Sequence, residues 1–276
     1  MYLIAEIGIN HNGNMDRVDA MIRAAALAGA DAVKFQKRRI DVVYTKEFLD
    51  SPRESPWGTT QRAQKEGLEL SFENYKEIDR TCKEVGIDWF ASAWDFESLA
   101  MMESFNPPFH KIASAFNCHI PFMEAVASMG RPVMLSTGMA DMAMIHKTVR
   151  ILRKHDVPLI LFHCVSIYPC PDELCNIRAI PALGAHFPDV TVGYSGHERG
   201  IEPTLMAIGL GAEYIERHFT LDRTDYGSDQ AASLEPKGLA LISEYGRQIE
   251  VCMGTGEITI EPGEEKCADA LRYWLK

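Results

Sequence analysis

The sequence predicts a single-domain α/β protein, a (β/α)8 TIM barrel. A unit of amphipathic helix, terminal glycine and short apolar strand recurs along the chain. Eight such strands fit into about 250 residues, the usual span of this barrel. Ionisable and hydroxyl side chains collect at the strands' far ends, where barrels of this kind place their chemistry.

Each element has a local reason. Ala24-Ala25-Ala26-Leu27-Ala28-Gly29 leads into the strand Ala32–Gln36, Lys83-Glu84-Val85-Gly86 into Trp89–Ser92, and Met206-Ala207-Ile208-Gly209-Leu210-Gly211 into Tyr214–Glu216. Glycine after a helix tolerates the left-handed conformation that stops it. The other strands fall at Leu3–Ile7, His110–Ala113, Val133–Ser136, Leu159–His163 and Thr191–Gly193. Several are continuous apolar runs, as parallel strands buried on both faces should be. Asn14, Ser71 and Asp95 cap helices whose apolar faces repeat at helical spacing. Another helix carries Met142, Ile145, Val149 and Leu152, and the closing one starts near Pro236. The polar segment Arg38–Leu70 reads as an active-site loop. No domain boundary is evident, and about 255–276 reads as a C-terminal tail to a barrel spanning 1–276.

Composition excludes several classes. With 276 residues, 46% hydrophobic and 24% charged, the chain can bury a full core. The net charge of −11 argues against a nucleic-acid partner. Lys37-Arg38-Arg39, the longest basic group, reads as a solvated loop. Seven cysteines without a CxxC pair suit a reducing compartment. No signal peptide and no membrane-length apolar run is seen, so the expectation is a cytoplasmic protein with no membrane partner.

The strand ends supply Glu6; Lys34 and Gln36; Ser92; Lys111 and Ser114; Ser136-Thr137-Gly138; His163, Ser166 and Tyr168; Ser195 and His197; Glu216 and His218. So many ionisable groups at buried ends are hard to explain as packing. Lys34 and Lys111 beside small hydroxyls suit an anion such as phosphate or carboxylate; ion pairs inside the barrel are the alternative. His197 and His218, on neighbouring strand ends, can reach one metal ion, although His11, His110 and His163 are equally open by spacing. Ser136-Thr137-Gly138-Met139 reads either as a small ligand-lined turn or as a plain connection. Trp94 and Met139 read as packing, and the cysteines as small buried residues.

Seven motifs in register resemble the N-acetylneuraminate (sialic acid) synthase family. They are Ala5–Gly13, Gly29–Gln36, Lys111–Ser114, Ser136–Met139, His163–Pro169, Gly193–Glu198 and Glu216–Asp222, followed by Gly227–Gln230 and Ser233–Pro236. The resemblance implies a (β/α)8 enzyme that condenses phosphoenolpyruvate with an aldose, giving a 3-deoxy-2-ulosonic acid and phosphate. It implies a divalent ion, Mn²⁺ or Mg²⁺, on His197 and His218. It implies phosphoenolpyruvate on Lys34, Lys111, Ser114 and Ser195, a substrate contact at Ser92, and sugar or reacting atoms near Gln36, Tyr168 and Asp229. Glu6 matches the acidic residue near metal, water and the reacting carbons. A homo-oligomer, dimer or higher, is implied too.

The chain departs from the family pattern at Ala93-Trp94-Asp95, at Phe116 and at Ser166, the last two facing the sugar pocket by position. The Gly-His-Glu and Gly-Ser-Asp segments look like animal-type synthases, which take 6-phosphorylated N-acetylmannosamine; Arg199 beside that loop reads as a surface arginine, with contact to such a phosphate as the alternative. The expected acceptor is N-acetylmannosamine or a related hexose, with the 6-phosphorylated sugar as the alternative. A metal-dependent barrel aldolase and a non-catalytic carbohydrate-binding barrel are the readings from other classes. The family's C-terminal antifreeze-like domain is expected to be lacking.

Overall fold

The apolar runs pair in chain order in the computed structural model, which describes residues 1–275. The strands are β1 (Tyr2–Gly8), β2 (Ala32–Lys37), β3 (Asp88–Ala93), β4 (His110–Ile112), β5 (Val133–Ser136), β6 (Leu159–Cys164), β7 (Thr191–Gly196) and β8 (Tyr214–His218). All pair in parallel, and β8 closes on β1. The eight predicted strands are all present, within a few residues of their expected ends.

The expected caps are present. Asn14 accepts from Arg17 N, and Asp95 accepts from Ser98 N. Ser71 and Asn74 form a reciprocal capping box. Pro236 opens the closing helix, Pro236–Met253. The main apolar core lies between strands and helices, with Leu3, Ile22, Ile78, Val149 and Ile242 all buried. Inside the barrel, Ile4, Ala32, Phe90, Met134, Ile160 and Phe162 form an apolar floor. Polar side chains sit above that floor because the same strands continue past it.

Two segments carry more local structure than their composition suggests. Arg38–Leu70 is built of small elements. It holds the helical turns Ile40–Val43 and Lys46–Leu49, a hairpin of Pro52–Ser55 with Gly58–Thr60, and the helix Gln61–Leu68. Its polar sequence reflects small elements with one face in water. The C-terminal tail also contains a helix, Glu264–Leu271, none of whose side chains is buried, with exposed Ile260 and Tyr273 beside it. Among the described residues all seven cysteines are free thiols, and no helix is long and apolar enough to cross a membrane.

Candidate active site

Strand alternation selects which side chains enter the barrel. Register pairs Glu6 with Lys34 and with His218, Ser92 with Lys111, and Ser195 with Glu216. These residues therefore form one buried polar layer at the C-terminal end of the sheet. It opens into a cavity of about 380 Å³.

Two lysines and two glutamates make the base of that layer. Lys34 Nζ lies 2.9 Å from Glu6 Oε2 and 3.5 Å from Glu216 Oε1, and donates to Ser92 Oγ at 3.2 Å. Lys111 Nζ lies 2.8 Å from Glu216 Oε2. Ser195 Oγ donates to Glu216 Oε1 at 3.2 Å, and Gln36 Nε2 donates to Glu6 Oε1 at 2.8 Å. Burial alone disfavours every charge here. For Lys34 it is outweighed by Glu216 and Glu6, which hold the ammonium above its usual range. For Lys111 burial wins, helped by Lys34 and opposed by Glu216, so its pKa is lowered. Glu216 is pushed up by burial and pulled down further by Lys111 and Lys34, so it stays ionised.

The two histidines stand at one side of the cavity, ring centroids 5.3 Å apart, with the Tyr168 ring 4.0 Å from His197. His197 Nδ1 donates to Val165 O at 2.8 Å, which leaves Nε2 bare. Metal-binding histidines are oriented in the same way. Burial first, and then His218, lower the His197 pKa to about 3, so the ring is neutral, as a ligand must be. His218 Nδ1 is buried without a hydrogen-bond partner, 3.8 Å from Asp229 Oδ2. These two rings fit a divalent ion. A cluster of three His, Cys, Asp or Glu able to hold a metal is absent among the described residues.

Glu6, Lys34, Gln36, Ser92, Lys111, Ser114, Ser166, Tyr168, Ser195, His197, His218 and Asp229 all line the cavity. Phe116 does not. It follows Ser114 in a short 3-10 turn and packs on Trp94 and Phe122, with ring centroids at 5.4 and 4.8 Å. Its route to the pocket is through Trp94. Three residues read from sequence as packing or solvated surface belong to the wall instead: Trp94, Met139 and Arg38. Arg38 is buried. Its guanidinium sits 4.7 Å from the Trp94 ring centroid, is ion-paired with Glu69 and donates to Gln36. Lys65 lines the same side. Arg199 is exposed and lies off the cavity wall.

Smaller features complete the wall. A Cβ on Gly138 would lie 2.3 Å from Ser166 Oγ and 2.7 Å from Ser114 Oγ, so glycine lets this turn close on both hydroxyls. Burial raises the Cys164 pKa, which makes that residue a small neutral wall group. Asn10 donates to Phe219 O and Ser233 Oγ, and Asn12 to Tyr226 O. The Asn10–Asn12 segment thus ties the loop after β1 to the loop after β8. Glu216 was visible at a strand end, but its bridging of both lysines depends on register. Arg38 and Lys65 had no sequence signal beyond charge.

The chain resembles known proteins along nearly all its length. The model of the NeuB family matches residues 21–258. N-acetylneuraminate-9-phosphate synthase of Homo sapiens is 38% identical over 272 residues, 98% of this chain and 76% of that protein. N,N'-diacetyllegionaminic acid synthase of Campylobacter jejuni is 33% identical over 279 residues, 99% of this chain and 83% of that one. Among solved structures, N-acetylneuraminic acid (sialic acid) synthetase of Leptospira borgpetersenii in complex with citrate superposes with a TM-score of 0.88. It is 32% identical and covers 99% of this chain and 93% of its own. The barrel, its polar layer and a family match over most of the sequence place this chain in the NeuB family.

Proposed function

We propose that the chain condenses phosphoenolpyruvate with an aldose, forming a 3-deoxy-2-ulosonic acid and releasing phosphate. One observation carries this reading. Lys34 and Lys111 are buried against carboxylates in the cavity that also holds His197 and His218. In a chain of net charge −11, the cavity wall carries Lys34, Arg38, Lys65 and Lys111 against Glu6, Glu216 and Asp229. The local balance is positive, as an anionic substrate requires.

Lys34 and Lys111 hold phosphoenolpyruvate, with hydroxyls from Ser92, Ser114 and Ser195 around it. Gln36, Tyr168, Ser166 and Asp229 hold the open-chain sugar with its aldehyde carbon over C3 of the alkene, which lowers the entropic cost of the new carbon–carbon bond. Manganese or magnesium bound by His197 and His218 would supply Lewis-acid polarisation of the aldehyde oxygen. Attack by C3 leaves positive character at C2. Glu6, fixed between Lys34 and Gln36, stabilises that charge and orients the water that adds there. The proton released by this water at Glu6 balances the one taken up by the new C4 oxygen. Loss of phosphate from C2 then gives the keto acid, and the two ammonium groups offset the charge gathering on the leaving group.

The finer reading is a hexose acceptor phosphorylated at C6, such as N-acetylmannosamine 6-phosphate. Lys65 supports it. Its ammonium faces the Tyr44 ring at 5.4 Å and makes no ion pair among the described residues, while burial, Arg38 and Arg53 lower its pKa. An anion beside it relieves that cost. Three carbons added at the aldehyde end renumber C6 as C9, which agrees with the 9-phosphate in the names of several relatives. The test is an aldose panel of mannose, N-acetylmannosamine and its 6-phosphate, each with phosphoenolpyruvate and Mn²⁺. Phosphate release and product mass are followed. A product three carbons longer with one phosphate released supports the reaction; aldose cleavage without phosphoenolpyruvate turnover refutes it.

A further inference from the structure

A second charged cluster lies fully buried on the far side of the barrel wall. Arg217 and Glu198 are both 0% exposed. Arg217 Nη1 donates to Glu198 Oε1 at 2.9 Å, Gly200 O at 2.9 Å and Thr204 Oγ1 at 2.7 Å, and Nη2 donates to Glu198 O at 2.5 Å. The carboxylate also accepts from Thr204 Oγ1 at 2.6 Å and from the Tyr194 hydroxyl at 2.9 Å. Gly196 leaves room for it, since a Cβ there would meet Glu198 Oε2 at 2.4 Å.

The place of this pair in the chain gives it a use. Glu198 directly follows His197, and Arg217 directly precedes His218. Arg217 stands in register with Gly196 across β8 and β7. Alternation turns Glu216 and His218 into the cavity and Arg217 away from it. The ion pair therefore joins the backbone at the two imidazoles from behind. His197 has further restraints, because its ring donates to Val165 O and its carbonyl accepts from Cys170 N at 2.9 Å. The His218 carbonyl likewise accepts from Leu234 N at 2.7 Å, and His218 stands in register with Glu6 on β1, but its ring lacks a hydrogen-bond partner at Nδ1, so its placement rests on its backbone, where Arg217 is the adjacent side-chain anchor. A buried ion pair is weak evidence for stability, since well-packed apolar residues often serve as well. This pair does more than fill space, because Arg217 Nη2 donates to the backbone carbonyl of Glu198 and so ties the two strand ends directly.

We propose that Glu198 and Arg217 are positioning residues that set the separation of His197 and His218 for a divalent cation. The inference rests on the proposed metal role of the two histidines. The test is Mn²⁺ binding to the full chain, followed by the electron paramagnetic resonance signal of the free ion. The proteins are the parent, Glu198→Gln, Tyr194→Phe, His197→Ala and, as a core control, Ile242→Ala. Glu198→Gln is expected to weaken binding roughly 10- to 100-fold, as loss of outer partners of metal ligands does. Tyr194→Phe removes one hydrogen bond to the carboxylate and weakens it roughly threefold. Ile242→Ala lowers thermal stability and leaves Mn²⁺ affinity at the parent value. Should Glu198→Gln fail to fold, Tyr194→Phe decides. Parent-like Mn²⁺ affinity in Glu198→Gln and Tyr194→Phe, with binding lost in His197→Ala, overturns the strut and keeps the metal site. A parent that does not bind Mn²⁺, or His197→Ala that binds it equally, overturns both.

Discussion

Replacing Glu216 by glutamine keeps the shape of the side chain and removes the charge that bridges the two lysines. The carboxylate lies 2.8 Å from Lys111 and 3.5 Å from Lys34. At an effective dielectric constant of about 20, the attraction lost is about 6 kcal/mol to the first and about 5 kcal/mol to the second. Most of this is offset, because a buried carboxamide costs far less to desolvate than a carboxylate. Removing one partner of a buried pair costs about 3–5 kcal/mol net. For a chain of this length about 2 °C per kcal/mol applies, so Tm should fall by roughly 6–10 °C. Calorimetry of parent and variant measures it. Phosphoenolpyruvate, an anion entering a cavity that has gained positive charge, should raise the Tm of Glu216→Gln by more than that of the parent. An unchanged Tm, or a smaller rise with phosphoenolpyruvate, refutes the bridging role.

Other outcomes test separate parts of the account. Gly138→Ala places a methyl against Ser114 and Ser166; kcat/KM for phosphoenolpyruvate should fall roughly 100-fold with an unaltered circular dichroism spectrum. Lys65→Met should raise KM for a 6-phosphorylated acceptor at least about tenfold, and steady-state kinetics should show no such rise for an unphosphorylated one. His11 is buried, its Nδ1 accepts from Gly13 N at 3.0 Å, and burial lowers its pKa to about 4. The unfolded chain, with a histidine near 6.5, then binds more protons on acidification. The stability from neutral His11 is full above about pH 6.5 and lost as pH falls through about 4, an amount of about 3 kcal/mol. Urea unfolding of His11→Asn, whose side-chain oxygen can still accept from Gly13 N, should show an acid loss smaller by that amount.

The strands were legible because a parallel strand buried on both faces must be an apolar run, and because glycine marks the helix stops before Ala32, Trp89 and Tyr214. The cavity residues at the strand ends were legible for the same reason: once β1 and β8 are placed, Glu6, Glu216 and His218 have few other positions. What the sequence hid depends on register and distance. Glu216 becomes the bridge between Lys34 and Lys111 only when β8 stands beside β7 and the barrel closes. Arg38 leaves solvent because Glu69, distant in sequence, pairs with it and Trp94 covers it. Lys65 joins the wall because Arg38–Leu70 folds into small elements that polar composition disguises. Phe116 shows the reverse, a residue adjacent to a site motif whose turn sends it into an aromatic cluster.

The most direct test of the proposed reaction uses phosphoenolpyruvate labelled with ¹⁸O at the oxygen bridging C2 and phosphorus. The enzyme is incubated with this substrate, Mn²⁺ and N-acetylmannosamine 6-phosphate, and both products are weighed by mass spectrometry. Water adding at C2 beside Glu6 predicts that the released phosphate carries all the label and that the ulosonic acid carries none. Label retained in the keto acid, or phosphate released with no carbon–carbon bond formed, contradicts the account.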